Sequence, residues 1–246
     1  MDPQYIPFIT TQQMVEVDRL MVEEYGIKLI QMMENAGRQL ARLGHKRFLE
    51  GDAASKNVVI LAGSGGNGGG ALACARNLHN WGGEIEVVMS KSAGSYSGVI
   101  RQQIKILQSL AVSFQTTDNL DQIKTPDLVI DGIIGYSLRG APTGHAAEMI
   151  RWVNRQDCSV LALDVPSGVD SSTGEVYHPA IQATATLTLA LPKYGLKIAG
   201  TDYVGELYLA DIGVPPELFA RPSLNLKVGP IFHQEEILHL TDPAGR

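Results

Sequence analysis

Cysteine is scarce in this sequence, with Cys74 and Cys158 the only two among 246 residues. Two cysteines so far apart argue against a disulfide framework, and they form no short-spaced pair of the kind that usually binds zinc. The sequence also lacks an apolar run of membrane-spanning length and, at its start, a basic region followed by an apolar core. We therefore expect no membrane partner and no leader, and a reduced, cytoplasmic setting.

Positive charge is not in excess either, because 20 lysines and arginines stand against 26 aspartates and glutamates, for a net charge of -6. An acidic chain gains little from counterion release at a phosphate backbone, which argues against nucleic acid as a general partner. Hydrophobic residues make up 44% of the chain and charged residues 19%, which is typical of a folded domain. No linker stands out, so we expect a single domain over residues 1–246.

The hydrophobic pattern predicts two N-terminal helices followed by alternating strands and helices. Apolar residues recur at helical spacing from Thr11 to about Leu49, with an interruption near Gly26. Thr10 or Thr11 is suited to cap the start of the first helix. Downstream, strands are predicted at 57–62, 84–89, 112–115, 127–134, 159–165, 184–190 and 206–210, and helices at 71–81, 98–110 and 146–155. Such alternation indicates a mostly parallel sheet covered on both faces, with the helical pair on an outer face. From about Pro222 the signal is weak and allows one more strand or helix.

A glycine-rich segment, Gly63–Gly70, follows the first predicted strand and holds six glycines in eight positions. Ligands bind beyond the carboxyl ends of the strands in an open α/β sheet, and the helix that follows offers its positive end to a phosphate. The segment fits the loose dinucleotide pattern G-x-G-x-x-G, although the second strand ends without the usual acidic residue. A tight structural turn is the alternative, but a turn needs only one or two glycines, so we favour ligand binding.

Two aspartates, Asp131 and Asp164, lie at the ends of apolar strands, where a carboxylate is costly unless it meets a partner, a metal or solvent. Asp164 is either a cap for the Ser167–Gly168 turn or a general acid/base. Together with Asn67 and Ser167, the aspartates form a set of oxygen ligands that suits a hard cation of low charge.

Lys193 follows another apolar strand, between Pro192 and Tyr194. A lysine at such a position is a solvated surface charge, a phosphate contact or a proton donor that faces Asp164. The residues alone leave these three interpretations open.

In their order along the chain, these motifs resemble the YjeF N-terminal domain family, the NAD(P)H-hydrate epimerases. The resemblance rests on the Met33–Gly37 segment (MENAG), Asn67–Gly69, the Asp131 segment, Asp164–Gly168 (DVPSG) and Pro192-Lys193. It extends from about residue 12 to residue 215. Each motif is unspecific alone, but the set is specific.

The resemblance implies a Rossmann-like three-layer sandwich and an isomerase that interconverts the R and S forms of hydrated NADH and NADPH (NADHX and NADPHX). It implies a potassium ion bound by Asn67, Asp131 and Ser167, and acid/base chemistry by Asp164 and Lys193. The substrate-binding residues that it implies are Gly66, Asn67, Gly68, Gly69, Gly70, Gly135, Tyr136, Ser137, Leu138, Arg139, Gly140, Ala141 and Asp164. The N-terminal helices are a suitable face for a homodimer.

The glycine segment departs from the family pattern, which usually reads asparagine-asparagine-glycine-glycine-aspartate-glycine. Here the first asparagine is replaced by Gly66 and the aspartate by Gly70. This difference leaves two alternatives to the epimerase open. One is a non-catalytic nucleotide-binding or protein-interaction module of the same fold. The other, suggested by G-x-G-x-x-G and Lys91, is an NADP-dependent oxidoreductase.

Overall fold

The computed structural model describes residues 6–240, so the chain start, where we expected no leader, lies outside the described residues. Eight helices are described: α1 (Thr11–Glu23), α2 (Leu29–Phe48), α3 (Gly66–Asn80), α4 (Gly98–Ser109), α5 (Gly144–Val153), α6 (Tyr194–Ala199), α7 (Thr201–Val204) and α8 (Pro216–Phe219). The strands are β1 (Asn57–Ala62), β2 (Glu84–Met89), β3 (Ser113–Gln115), β4 (Leu128–Gly132), β5 (Ser159–Leu163), β6 (Ala185–Leu189), β7 (Glu206–Ala210) and β8 (Ile237–His239).

The strands form one sheet in the order β3-β2-β1-β4-β5-β6-β7-β8. All neighbouring pairs are parallel except β7 and β8, which are antiparallel. The prediction of an α/β fold with a mostly parallel sheet is confirmed, and the weak C-terminal signal corresponds to the antiparallel edge strand. From β1 the chain builds the sheet first toward β3 and then, from β4 on, in the other direction, so the order switches between β1 and β4. Such a switch point opens a crevice at the carboxyl ends of the strands.

Both faces of the sheet are buried, which explains why its strands read as continuous apolar runs. Alternate residues of β1 point to opposite faces: Val58 and Ile60 join the core under α2, α3 and α4, whereas Val59 and Leu61 join the core under α5. The result is a three-layer sandwich with helices on each side of the sheet.

The two N-terminal helices occupy different places. Thr10 caps α1 in a capping box with Gln13, as the sequence predicts. The second helix, α2, packs on the outer face of the sheet as expected, but the same prediction was wrong for α1. The apolar side of α1, including Leu20, packs instead against Leu191 after β6 and against Phe219 of α8. This helix therefore covers the carboxyl edge of the sheet, because apolar residues beyond the strand ends offer it a second, smaller core.

Among residues 6–240, no helix combines the length and the apolar composition that crossing a membrane requires.

Candidate active site

The four predicted segments converge at one edge of the sheet. They follow β1, β4, β5 and β6, which are adjacent parallel strands, so their carboxyl ends lie side by side. A cleft at this edge is lined by Gly66, Asn67, Gly70, Tyr136 and Asp164 together with apolar residues of α1, α2, β5 and β6 and with Asp18. The contribution of α1 and α2 was not predicted, because an aspartate on an amphipathic helix carries no special signal in the sequence.

The glycine segment is not the long loop that we expected. Helix α3 begins at Gly66, five residues earlier than the predicted start at Ala71, and leaves only Gly63, Ser64 and Gly65 as a turn. The prediction failed because glycine has a poor intrinsic helix propensity, whereas close packing requires it here. Gly65 caps the helix without a side chain, so the first N–H groups of a 15-residue helix are not capped by a side chain.

Packing explains the last three glycines of the segment. A Cβ atom added to Gly68 would lie 2.0 Å from the carbonyl oxygen of Gly63, and one added to Gly69 would lie 2.5 Å from Sδ of Met33. At Gly70, an added Cβ would lie 2.8 Å from Cδ2 of Leu163. At Gly65 and Gly66, by contrast, no atom lies within 4 Å of an added Cβ. The structural and the ligand-binding interpretations therefore overlap along the segment: Gly68–Gly70 allow close packing, Gly65 and Gly66 have open space around them, and Gly66 and Gly70 line the cleft.

The MENAG segment of α2 supports α3 from the opposite side. Met33 packs on Gly69, and the backbone of Gly37 lies so close to α3 that an added Cβ would meet the Cβ of Ala73 at 2.5 Å. Asn35 donates from Nδ2 to the carbonyl oxygen of Ile212 at 3.1 Å, beyond the end of β7. These contacts give the motif a positioning function that its sequence alone did not disclose.

Asp164 and Lys193 form a buried ion pair. Asp164 is 2% exposed and Lys193 is 0% exposed. Nζ of Lys193 donates to Oδ1 of Asp164 and, at 2.8 Å, to the carbonyl oxygen of Leu189. Of the three interpretations of Lys193, the solvated surface charge is wrong, because the residue is fully buried and its backbone pairs with Ile9, which precedes α1. A buried charge of this kind is stable only when it is paired.

The two oxygens of Asp164 differ in their surroundings. Oδ1 accepts hydrogen bonds from Lys193 Nζ, from the backbone N–H of Leu189 at 3.2 Å and from the hydroxyl of Thr188 at 3.4 Å. Within residues 6–240 Oδ2 accepts none, and Asp164 lines the cleft whereas Lys193 does not. One oxygen is therefore fixed by donors while the other is available to a ligand.

The backbone at Asp164 adopts a strained conformation, with a φ of 67°. The N–H of Val165 donates to the carbonyl oxygen of Leu163 at 2.9 Å, so Asp164 is the centre of a three-residue turn at the end of β5. A positive φ costs an ordinary residue about 1–3 kcal/mol and is frequent at functional sites. Among the described residues the Asp164 carboxylate bonds to Thr188, Leu189 and Lys193 and not to the Ser167–Gly168 turn, so the alternative interpretation of Asp164 as a cap for that turn is wrong.

Asp131 is buried without a cationic partner among the described residues. Its carboxylate accepts hydrogen bonds from the hydroxyl and the N–H of Ser167, at 2.6 and 2.8 Å, and from the N–H of Ile133 at 3.2 Å. Burial raises its pKa to about 6, and the hydrogen bonds from Ser167 and Ile133 oppose that rise. These bonds connect β4 to the turn after β5.

Asn67 lies in the first turn of α3 between β4 and β5. Its Nδ2 donates to the carbonyl oxygen of Leu163 at 2.6 Å, which turns Oδ1 toward Gly135, where an added Cβ would lie 2.5 Å from that oxygen. A side chain at position 135 would therefore have to displace the Asn67 amide from its present place.

The segment 135–141 begins at this contact. Tyr136 lies in the cleft, where its hydroxyl donates to Asp18 Oδ2 at 2.5 Å and its carbonyl oxygen accepts from the hydroxyl of Ser171 at 3.0 Å. Ser137, Arg139 and Ala141 are exposed, and Leu138 and Gly140 are half-buried. None of these five residues lines the cleft, so only Gly135 and Tyr136 are near Asp164 and Asn67.

The switch point between β1 and β4, the turn before α3 and the buried Asp164–Lys193 ion pair together define a Rossmann-like α/β protein with a cleft at the carboxyl edge of its sheet. The family model described as YjeF-related protein N-terminus matches residues 29–195. The chain belongs to this family, as its motifs indicated.

Relatives with curated names agree with this assignment. The NAD(P)H-hydrate epimerase of Dehalogenimonas lykanthroporepellens is 43% identical over 221 residues, which cover 90% of this chain and 88% of the relative. The NAD(P)H-hydrate epimerase of Rhodopirellula baltica is 32% identical over 89% of each chain. A bifunctional NAD(P)H-hydrate repair enzyme of Moorella thermoacetica is 34% identical, but this chain covers only 43% of its length.

A solved structure has the same fold. The crystal structure of the yeast protein ynu0 (YNL200c) superposes with a TM-score of 0.80 at 23% identity, covering 96% of this chain and 100% of the yeast chain. At this identity the likeness concerns the fold alone.

Proposed function

We propose that this protein is an NAD(P)H-hydrate epimerase, which interconverts the R and S forms of NADHX and NADPHX. The names of relatives that it matches over nearly their whole length support this proposal. The observation that carries it is the buried Asp164–Lys193 pair, whose unbonded Oδ2 faces the cleft beside the open Gly65–Gly66 turn.

The geometry suits proton transfer by Asp164. Inverting a ring carbon that bears a hydroxyl group requires that a bond at this carbon breaks and re-forms on the other face, with a proton moved at each stage. Oδ2 of Asp164 is available to exchange that proton, and the fixed Oδ1 keeps the carboxylate oriented. Lys193 is enclosed behind Asp164, so we assign it the role of balancing the charge of Asp164 and holding its position.

The diphosphate of the substrate has a site at the start of α3. The backbone there is open at Gly65 and Gly66, and the unpaired N–H groups of a helix N-terminus favour an anion. Arg139 is exposed and forms no ion pair within residues 6–240, so it is available to a phosphate. Gly68 and Gly69 support this site from within α3, whereas Gly70 meets only apolar side chains.

A potassium ion fits the oxygen atoms beside Asn67. Asn67 Oδ1 accepts no hydrogen bond from the described residues, and the buried Asp131 carboxylate lacks a cationic side chain to balance its charge. Asn67, Asp131 and Ser167 would hold the ion, which when bound supplies a positive charge next to the dinucleotide. One carboxylate among neutral oxygens matches a cation of low charge better than a divalent one.

The test follows the R hydrate of NADH by chromatography in the presence of the pure protein. We expect the R and S forms to interconvert faster than they do spontaneously, and we expect Asp164→Asn to lose this acceleration while it still binds the substrate in calorimetry. A protein that binds the substrate but leaves the spontaneous rate unchanged would refute the proposal.

One observation favours a second function, the non-catalytic module. The position of the family's aspartate is held by Gly70, and the neighbouring space is filled by the side chain of Leu163. If this exchange has removed catalysis, nucleotide binding without turnover will be found. Restoring the carboxylate with Gly70→Asp and Leu163→Ala together would then be expected to raise turnover.

A further inference from the structure

Helix α1 forms polar contacts with the site through two of its residues. At its start, the hydroxyl of Thr11 lies 2.6 Å from the hydroxyl of Ser171, which in turn donates to the carbonyl oxygen of Tyr136. Two turns later, Asp18 accepts the hydroxyl hydrogen of Tyr136 at 2.5 Å. Both ends of Tyr136, its backbone and its hydroxyl, are thus connected to α1.

Beyond Tyr136 the substrate segment has little other support. Within residues 6–240, the side chains of residues 137–142 form no hydrogen bond, and the backbone has only a tight turn at residues 136–137 before Thr143, at the start of α5, accepts the next bond. The start of the segment, where Tyr136 enters the cleft, is therefore held by the contacts of Tyr136. The ring of Tyr136 also packs against apolar side chains, but among the described residues its hydroxyl bonds to Asp18 alone.

We propose that Asp18 is a substrate-positioning residue, which acts by holding Tyr136 in the cleft and thereby anchoring the start of the segment 135–141. The inference rests on the proposed epimerase function, since it assigns to α1 the task of placing the ring end of the dinucleotide before Asp164. Asp18 itself lines the cleft, so the bond to Tyr136 lies on its wall.

The surroundings of the pair strengthen the bond. Burial and the adjacent charge of Asp18 raise the pKa of Tyr136, so its hydroxyl remains protonated and donates at neutral pH. Burial also raises the pKa of Asp18, although both protonation states of this carboxyl accept the bond. A hydrogen bond between partly buried groups is worth more than one in water.

The first experiment measures the segment directly, without substrate. Trypsin is expected to cleave after the exposed Arg139, and Asp18→Ala should accelerate this cleavage about tenfold, because losing one hydrogen bond opens the segment more often. Cleavage after Lys91, in the exposed turn after β2, serves as the internal control and should not change. Gln12→Ala, on the exposed side of α1, is the matched control variant, and trypsin should cleave it at the same rate as the wild type. Equal acceleration at both sites would indicate general destabilisation and overturn the proposal.

The second experiment measures epimerase kinetics. Asp18→Ala and Tyr136→Phe should each raise KM about tenfold, with kcat changed less than about threefold, and the double variant should be no worse than either, because a single bond is lost. Asp18→Asn, which keeps an acceptor oxygen, should restore KM to within about threefold of the wild type. A lowered kcat at unchanged KM would mean a purely structural role and overturn the proposal. A wild-type protein without epimerase activity would contradict the proposed function alone, because the trypsin experiment still decides whether Asp18 holds the segment.

Discussion

Asp131 and Asp164 lie at the ends of neighbouring strands, and both are buried, yet their charges are stabilised in opposite ways. Asp131 is surrounded by neutral donors from Ser167 and Ile133, which use both of its oxygens. Asp164 has a counter-charge, Lys193, and all donors meet the same oxygen. A similar local pattern, an aspartate at the end of an apolar strand, therefore produces one carboxylate with both oxygens bonded and one with an oxygen that accepts no bond from residues 6–240.

The largest expected effect is a loss of turnover, which should be much greater for a substitution of Asp164 than for one of Asp131. Asp164→Asn should reduce kcat about 10²- to 10⁴-fold, the usual contribution of a general acid or base, because the amide cannot exchange a proton. Asp131→Asn should reduce kcat about tenfold or less, since its carboxylate has no oxygen free for the substrate. Steady-state kinetics on the R hydrate measures both variants. Equal losses would mean that the difference in hydrogen bonding does not divide their roles.

The next effect concerns stability and the counter-charge. Lys193→Met leaves the carboxylate of Asp164 buried and unpaired, which should cost about 3–5 kcal/mol in the free energy of unfolding. Adding Asp164→Asn to this variant removes the unpaired charge and should recover more than half of that loss. Urea unfolding of the two single variants and the double variant measures these free energies of unfolding. If the losses of the single variants simply add in the double variant, the two side chains contribute to stability independently.

A smaller effect is expected at the aspartate without a counter-charge. Asp131→Asn exchanges an acceptor for a donor opposite Ser167 but leaves no unpaired charge, so it should cost about 1–3 kcal/mol in unfolding free energy. If potassium binds there, the wild type should unfold at higher urea concentration in potassium chloride than in choline chloride. The variant should not show this difference, whereas Lys193→Met should keep it.

The smallest expected effect is the change in stability when the hydroxyl group that bonds to each aspartate is removed. Ser167 donates to Asp131 at 2.6 Å and accepts from the N–H of Ile134 at 2.9 Å, whereas Thr188 lies 3.4 Å from Asp164. Ser167→Ala should therefore cost about 1–2 kcal/mol and Thr188→Val less than about 1 kcal/mol in thermal or urea unfolding. A larger cost for the threonine variant would reverse our ranking of the two networks.

The positions of the strands along the chain were predicted well from the sequence, because each strand is a short, continuous apolar run. Strands β1, β2 and β7 begin and end at the predicted residues, and α4 ends within one residue of its prediction. The glycine segment was predicted less well, because its helical conformation is imposed by Met33 and Leu163 from elsewhere in the chain. Local propensity could not reveal that close approach.

The candidate site was predictable as a set of strand ends but not as a set of contacts. Asp164 and Lys193 were expected to share an edge, and the structure places them in direct contact. Asp18 was missed, because on α1 it occupies an ordinary polar position of an amphipathic helix. Its meeting with Tyr136, 118 positions away in the chain, follows from the packing of α1 across the carboxyl edge.

The amino-acid pattern was sufficient to predict the layers of the fold and the sheet edge that carries the candidate site, because apolar periodicity and the residues at strand ends can be identified from short stretches of sequence. Only the tertiary structure decided which oxygen of Asp164 is free, which glycines are open and which helix forms the wall of the cleft. These features depend on distances between residues far apart in the chain, and such distances are set when the whole core packs together.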